Sequence, residues 1–253
     1  MDIRILKTVD EIRPCEELQV AIWHMPDAQD AVPAHQLFTA AKYGGMVLGA
    51  FDGDRLIGLA YGFVGLYRGR PILCSHMNGV LPEYRGQGIG YALKVQQRLA
   101  ALERGLEAMH WTYDPMELVN GNLNIRRLGG TSRLYEPNLY GTMSDGLNAG
   151  LPTDRLVVEW DLTAARVHQA LMSGAAPAPE RAECFAYDGT TLPAGGQALA
   201  LTLPKQFQQI KRTDPREALR WRLAARRAFV EAFAAGYRLT GADADGYIFT
   251  REP

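Results

Sequence analysis

The sequence predicts an α/β protein, a twisted mixed β-sheet flanked by helices with a smaller α/β lobe after it. Three observations carry the prediction. Apolar runs of strand length alternate with longer segments whose apolar residues recur every three or four positions. A glycine-rich stretch, "YRGQGIG" at 84–90, stands between one such strand and one such helix. An Ala-, Pro- and Gly-rich segment, "MSGAAPAPERAE" at 172–183, divides the 253-residue chain into two unequal blocks.

In order along the chain, "MDIRILKT" alternates polar and apolar residues like a strand. "VDEIRPCEELQVAIW" then places Ile12, Leu18, Val20 and Ile22 among acidic residues like an amphipathic helix. "HMPDAQDAVPAH" reads as a loop, and "AHQLFTAAKYG" as a short helix stopped by Gly44 and Gly45. Two apolar runs between 46 and 73 meet at Asp52-Gly53-Asp54, a hairpin signal. Residues 73–80 form a further strand that runs into the glycine stretch. Beyond it Ile89, Leu93, Gln96, Leu99, Leu102 and Leu106 mark a helix ending near Gly105.

"EAMHWTYDP" is a strand closed at Asp114-Pro115, and "MELVNGNLNIRRLGG" holds a short helix that stops at Gly129-Gly130. "SRLYEPNLYG" and "DRLVVEWDL" read as strands. The expected organisation is a main domain over 1–165, a linker over 166–183 and a C-terminal lobe over 184–253. That lobe carries two strands ("CFAYDG", "ALALTLP"), a long helix across "DPREALRWRLAARRAFVEAFAAGY" and a terminal hairpin. In the long helix Leu219, Leu223, Phe229, Val230 and Phe233 are the expected buried stripe, with the six arginines between 212 and 227 solvated around it.

With 27 Lys+Arg against 28 Asp+Glu and a formal charge of -1, no overall field favours nucleic acid or an anionic membrane. Small-molecule chemistry is the expectation. Cys15, Cys74 and Cys184 lie far apart without a CxxC pair, the opening residues do not read as a secretory leader, and no metal is expected. A reducing cytoplasm follows. No apolar run is long enough to cross a bilayer.

The glycine stretch invites comparison with three phosphate-binding patterns. A dinucleotide fingerprint needs its third glycine at 91, where Tyr91 stands, and a Walker loop needs Gly-Lys-Ser/Thr, which is absent. The third, R/Q-x-x-G-x-G/A at a strand-to-helix junction, is met by Arg85, Gly88 and Gly90. Residues without side chains let successive backbone N–H groups curl around a pyrophosphate, and the following helix adds its positive end. The alternative is a turn that only reverses the chain.

With the strand before, the helix after, and then "WTYDP" and "NGNLN" in order, the chain resembles the GNAT acyltransferase superfamily. "CSHMNGVLPEYRGQGIGYALKVQQR", "NLNIRRLGG", "YEPNLYG", "LPTDRLVVEW" and "ALRWRLAARRAF" are similar to a subfamily of longer predicted GNAT proteins of unknown acceptor. The resemblance implies a GNAT-type sheet that binds acyl-CoA, acetyl-CoA or succinyl-CoA, in a split between two central strands. It assigns the pyrophosphate to the N–H groups of Gln87, Gly88, Ile89, Gly90 and Tyr91, with Arg85 guarding the loop or pairing with Glu83. The pantetheine arm falls to the backbone of Gly79, Val80 and Leu81, with Val80 N–H as oxyanion donor.

Cys74, His76, Asn78 and Val80 share one strand face by the period of two. In some GNAT enzymes a histidine at the position of His76 lies on the proton path, so His76 is the candidate base, with a structural role as the alternative. Asp114 is a candidate for the acceptor's ammonium or a proton relay, or else a turn former. Asn122 stands where the family often hydrogen-bonds pantetheine, and it would also serve as a helix cap. Many members carry a tyrosine one turn further on as the acid for the departing thiolate; here Arg126, Arg127 and Leu128 occupy the region, and Tyr135 or Tyr140 in the next strand is the substitute, Tyr140 being the candidate chosen and a packing role the alternative. Arg155 would clamp an acceptor carboxylate or pair with Asp154. The implied activity is transfer of an acyl group from CoA to a small amine or amino acid. A non-catalytic acyl-CoA module and an interaction protein with a structural turn are the alternatives. Expected partners are the amine acceptor and at most a second copy of the chain.

Overall fold

A computed structural model of the chain describes residues 1–27, 30–143, 150–193 and 196–251. Two positions of the expected loop, 28 and 29, fall outside these. The chain divides into two units, one over Met1–Trp111 and one over Thr112–Met143 together with the described residues from 150 onward. This differs from the boundary expected at 166–183. Part of that stretch is itself helical, and the strand pairings given below group residues 131–136 with the C-terminal residues.

In the first unit strand β1 (Asp2–Ile5) pairs antiparallel with β2 (Met46–Asp52), and β2 with β3 (Arg55–Tyr67) across the Gly53 turn. β3 continues into β4 (Arg70–Val80) through Arg68 and Gly69, both at positive φ, a two-residue hairpin turn that the sequence reading did not mark. β4 then pairs in parallel with β5 (Ala108–Tyr113), so four strands in sequence order end in one parallel neighbour. The single N-terminal helix expected from periodicity is two: α1 (Val9–Ile12), started by a Thr8/Glu11 capping box, and α2 (Pro14–Trp23), which opens on Pro14. Proline has no N–H for an internal ladder but suits the first turn, so it restarts the helix. Helices α3 (Ala34–Lys42) and α4 (Ile89–Glu103) complete the unit. Every residue of β2 but the last is buried.

In α4 the expected stripe is out of phase. Ile89, Leu93, Lys94, Gln97, Ala100 and Ala101 are buried while Gln96 and Leu99 are exposed. Two polar residues take the inner face.

The second unit begins with the end of β5. It adds helix α5 (Leu118–Gly121), which runs on as a π-helical turn over Asn122–Arg127, and the antiparallel pair β6 (Thr131–Glu136) and β7 (Arg155–Asp161). Helix α6 (Ala165–Ser173) and strands β8 (Phe185–Tyr187) and β9 (Ala198–Thr202) follow, then helices α7 (Phe207–Thr213) and α8 (Pro215–Ala234) and the hairpin β10 (Tyr237–Ala242) and β11 (Gly246–Arg251). Within this unit the sheet order is β7-β6-β10-β11-β9-β8, antiparallel except for β8 beside β9. Phe229 of α8 packs its ring on Tyr135, Phe233, Tyr247 and Phe249, the aromatic centre of the unit.

The buried face of α8 corrects the sequence reading. Ala218, Arg222, Ala225, Ala228, Phe229 and Ala232 are buried, and Leu219, Leu223 and Val230 are exposed. Small alanines let the helix approach closely, and acidic partners described below draw the arginines inward. Among the described residues no helix is long and apolar enough to cross a membrane, and no cluster of His, Cys, Asp and Glu could hold a metal ion.

Candidate acyl-CoA site

The glycine stretch follows directly from strand β4. The short 3-10 turn Pro82–Tyr84 is pinned by two contacts: Arg55 donates to Glu83 Oε1 at 2.7 Å, and Tyr84 donates to Asp52 Oδ2 at 3.0 Å. Arg85 is not paired with Glu83. Its guanidinium donates to the carbonyls of Ile22 at 2.8 Å and Val80 at 3.2 Å, tying the end of α2 to the end of β4 below the loop.

Above that anchor the residues from Arg85 to Gly88 are exposed. Gly86 and Gly88 stand at φ 79 and 80, where a side chain is strained although a Cβ would meet nothing within 4 Å. Gly88 is the N-cap of α4, whose first ladder bond runs from Ala92 N–H to the Gly88 carbonyl at 3.0 Å. The amides of Ile89 and Gly90 therefore precede the ladder at the positive end of a 15-residue helix. Asn78 holds the loop to the strand by donating Nδ2 to the Gly90 carbonyl at 3.1 Å.

β4 carries an irregularity that rearranges the expected strand face. Tyr61 lies opposite Met77 and Phe63 opposite Cys74, so Ser75 and His76 together face the single residue Gly62, a β-bulge. Asn78 and Val80 consequently share the α4 side with Ser75. Asn78 bonds Gly90, and Val80 lies beside the Gly58 position that also meets Leu93. His76 turns to the opposite face, its ring 6.1 Å from the rings of Tyr61 and Phe63. The period of two fails because two residues of one strand answer one of the other. His76 keeps contact with solvent, but the protein packed around it, the Tyr61 and Phe63 rings included, partly desolvates the imidazole and lowers its pKa from the ordinary histidine value.

The backbone of the strand end is also selective. Leu81 N–H is used on Ile57 O at 2.9 Å, and antiparallel alternation turns Gly79 the same way, so the Val80 N–H points away from β3. Gly79 is crowded from one side, since a Cβ there would lie 2.7 Å from Ile22 and 2.9 Å from Trp23. On the far side of β4 the parallel ladder to β5 consists of Leu73↔Met109 and Cys74↔His110. β4 runs six residues further, to Val80, beyond that pairing. The two strands part at the bulge.

Four other candidates lie in the second unit. Asp114 grips Arg222 with both oxygens, at 2.6 and 2.5 Å, and also accepts from Met116 N–H at 2.8 Å. This is a largely buried structural pair, in place of an available base. Asn122 opens the π-helical turn, and its buried Oδ1 has no hydrogen-bond partner among the described residues. Tyr140 sits in a turn after β6, outside the strand expected to hold it, and its exposed hydroxyl lies 2.8 Å from Thr112 Oγ1. Arg155 does not pair with the Asp154 carboxylate. It donates to the Asp154 carbonyl at 2.9 Å and stacks over Tyr140 at 5.3 Å. The Asp154 carboxylate accepts from Arg226, Tyr135 and the Asn138 N–H; burial alone would raise its pKa, but these donors outweigh it and hold it below the ordinary value. Sequence reasoning missed Arg222 and Arg226, although their spacing of one helical turn was visible.

No protein-family model matches the chain, and no curated protein sequence does. Solved structures with a similar backbone include the ribosomal-protein-S18-alanine N-acetyltransferase of Escherichia coli, at 14% identity, covering 65% of this chain and 95% of that one with a TM-score of 0.49. The ribosomal-protein-alanine N-acetyltransferase of Brucella melitensis is similar at 20% identity, covering 63% and 98% with a TM-score of 0.48. A GNAT family acetyltransferase of Elizabethkingia anophelis with acetyl-CoA bound is similar at 15% identity, covering 63% and 97% with a TM-score of 0.45.

Proposed function

We propose that the chain is a GNAT-type N-acyltransferase that moves an acyl group from acyl-CoA to a small amine or amino acid. One observation carries the reading: the glycine stretch caps α4 directly after a strand that parts from its parallel neighbour at a bulge. The exposed Gly86–Gly88 turn and the amides of Ile89 and Gly90 suit a pyrophosphate, which needs donors at a positive helix end and no side chain in the way. Beyond Cys74 and His110, the β4 edge offers the Val80 N–H to an extended arm laid along it toward the bulge. The residues fit the cofactor.

His76 is the proposed base. Its lowered pKa keeps the imidazole neutral below the ordinary histidine range, ready to take the proton of an acceptor amine. The amine nitrogen forms the amide bond, the carbon–sulfur bond breaks, and CoA leaves as its thiol. The proton that His76 takes from the amine is returned to the departing sulfur. The free cysteines Cys15, Cys74 and Cys184 accord with a cytoplasmic setting.

A non-catalytic acyl-CoA module has one observation in its favour: Asp114 is taken by Arg222. Calorimetry with CoA, followed by thiol release from acetyl-CoA over a panel of amines, tests both. CoA binding abolished by Gly88→Glu, with turnover on at least one amine, is the expected result. Absence of CoA binding removes the whole reading; binding without turnover leaves the module.

A further inference from the structure

Helix α4 carries buried polar groups that the proposed chemistry leaves unused. Lys94, 2% exposed, donates Nζ to Ser75 Oγ at 2.7 Å and lies 3.6 Å from the centroid of the Trp111 ring. Ser75 in turn donates to Gln97 Oε1 at 2.6 Å. Gln97 is 0% exposed, and its Nε2 has no hydrogen-bond partner among the described residues.

The position of this cluster is specific. The last parallel pair is Cys74↔His110, so Ser75 and Trp111 are the next residues on the two strands, and Lys94 bridges them at the vertex of their divergence. The cluster is rich in donors and poor in acceptors. An amine and an amide nitrogen are buried together, the Ser75 oxygen accepts from the amine, and the facing groups from β4, β5 and α4 itself (Ser75, Trp111 and Gln97) carry no charge. Buried donors of this kind are ordinarily matched by an acceptor. Burial alone lowers the Lys94 pKa well below the usual lysine value, without help from another group.

The reach along the strand supplies the ligand. From Val80 to Ser75 is five residues, about 16 Å of extended chain, comparable with a stretched pantetheine arm whose pyrophosphate rests on the loop. The acyl end of such an arm arrives at the vertex. We infer that the Lys94–Gln97 donors receive the distal carboxylate of the acyl group, so that the preferred donor is the CoA thioester of a dicarboxylic acid. This rests on the acyl-CoA reading above. An acetyl methyl would leave the same donors unmatched.

Calorimetry with CoA, acetyl-CoA and succinyl-CoA on the whole chain tests it. Succinyl-CoA should bind about tenfold or more tighter than acetyl-CoA, the scale of one charge-assisted hydrogen bond. Lys94→Met should bring the two within about threefold of each other while CoA itself binds as before. Equal affinity of the two thioesters in the unaltered protein overturns the inference without any variant, as does a preference that survives Lys94→Met. If Lys94→Met does not fold, the unaltered comparison still decides, and Gln97→Met repeats the variant arm. Failure of CoA itself to bind sinks the acyl-CoA reading as well; CoA binding without a succinyl preference sinks only this assignment.

Discussion

Three single alanine substitutions in the loop separate a phosphate cradle from a plain turn, because the structure assigns them different signs. Gly86 and Gly88 have nearly the same left-handed φ, 79 and 80, and neither Cβ would meet an atom within 4 Å. The cost of alanine at each is thus conformational, about 1–2 kcal/mol, or about 2–4 °C of melting temperature per kcal/mol in a chain of this size. Gly90 is different. It lies inside α4, and a Cβ there would meet Asn78 Nδ2 at 3.7 Å, an ordinary contact, so alanine should stabilise by up to about 1 kcal/mol. The R/Q-x-x-G-x-G/A pattern also admits alanine at that position. Thermal melts and CoA titration on the three variants should therefore give loss of stability with CoA binding kept for Gly86→Ala, and the same loss with CoA binding weakened about tenfold or more for Gly88→Ala. Gly90→Ala should be as stable as or more stable than the parent and still bind CoA. If Gly86→Ala and Gly88→Ala bind CoA equally well, the amides around Gly88 do not hold the pyrophosphate.

His76→Ala should remove the acidic limb of the pH–rate profile, and in the parent that limb should lie below the ordinary histidine pKa because His76 is held neutral; a limb unchanged in the variant assigns the proton to another group. Asp114→Asn leaves the buried Arg222 cation without its carboxylate and should cost about 3–5 kcal/mol in urea unfolding, with the Asp114→Asn, Arg222→Met double variant recovering part of the loss. A cost below about 1 kcal/mol would give the pair only the weight of an exposed one. Lys94 adds a pH signature to stability. Its folded pKa is depressed, so between the folded and unfolded values the unfolded chain binds the extra proton and stability rises with pH. Lys94→Met should flatten that rise, gaining more stability near neutral pH than in alkali; equal gains in urea titrations at both ends would show that Lys94 stays charged when buried.

How much of this was legible depends on which interaction dominates locally. The hairpin at Asp52-Gly53-Asp54 and the glycine cap at Gly88 come from backbone conformations few residues tolerate, and those residues advertise themselves. Strand β4 was legible as a strand but not in its facing. The bulge at Ser75 and His76 is set by the pairing with Gly62 on the neighbouring strand, which carries no local signal within β4, and it moves Asn78 and Val80 to the α4 side while His76 stays with Tyr61 and Phe63. The same limit governs both helices whose phase was misread. Apolar periodicity assumes that the inner face is apolar, yet α4 buries Lys94 and Gln97 against Ser75, and α8 buries Arg222 against Asp114. A polar group turned inward costs free energy unless a partner from a distant segment meets it, and that partner is invisible to a reading of the helix alone. On α8 the structure answers the buried Arg222 cation with the Asp114 carboxylate, although Arg222 Nε has no hydrogen-bond partner among the described residues. On α4 it answers the Lys94 amine only with the neutral Ser75 and leaves Gln97 Nε2 unmatched, and this lack of an acid, which α8 does not share, is why the misread helix of the first unit points to a ligand.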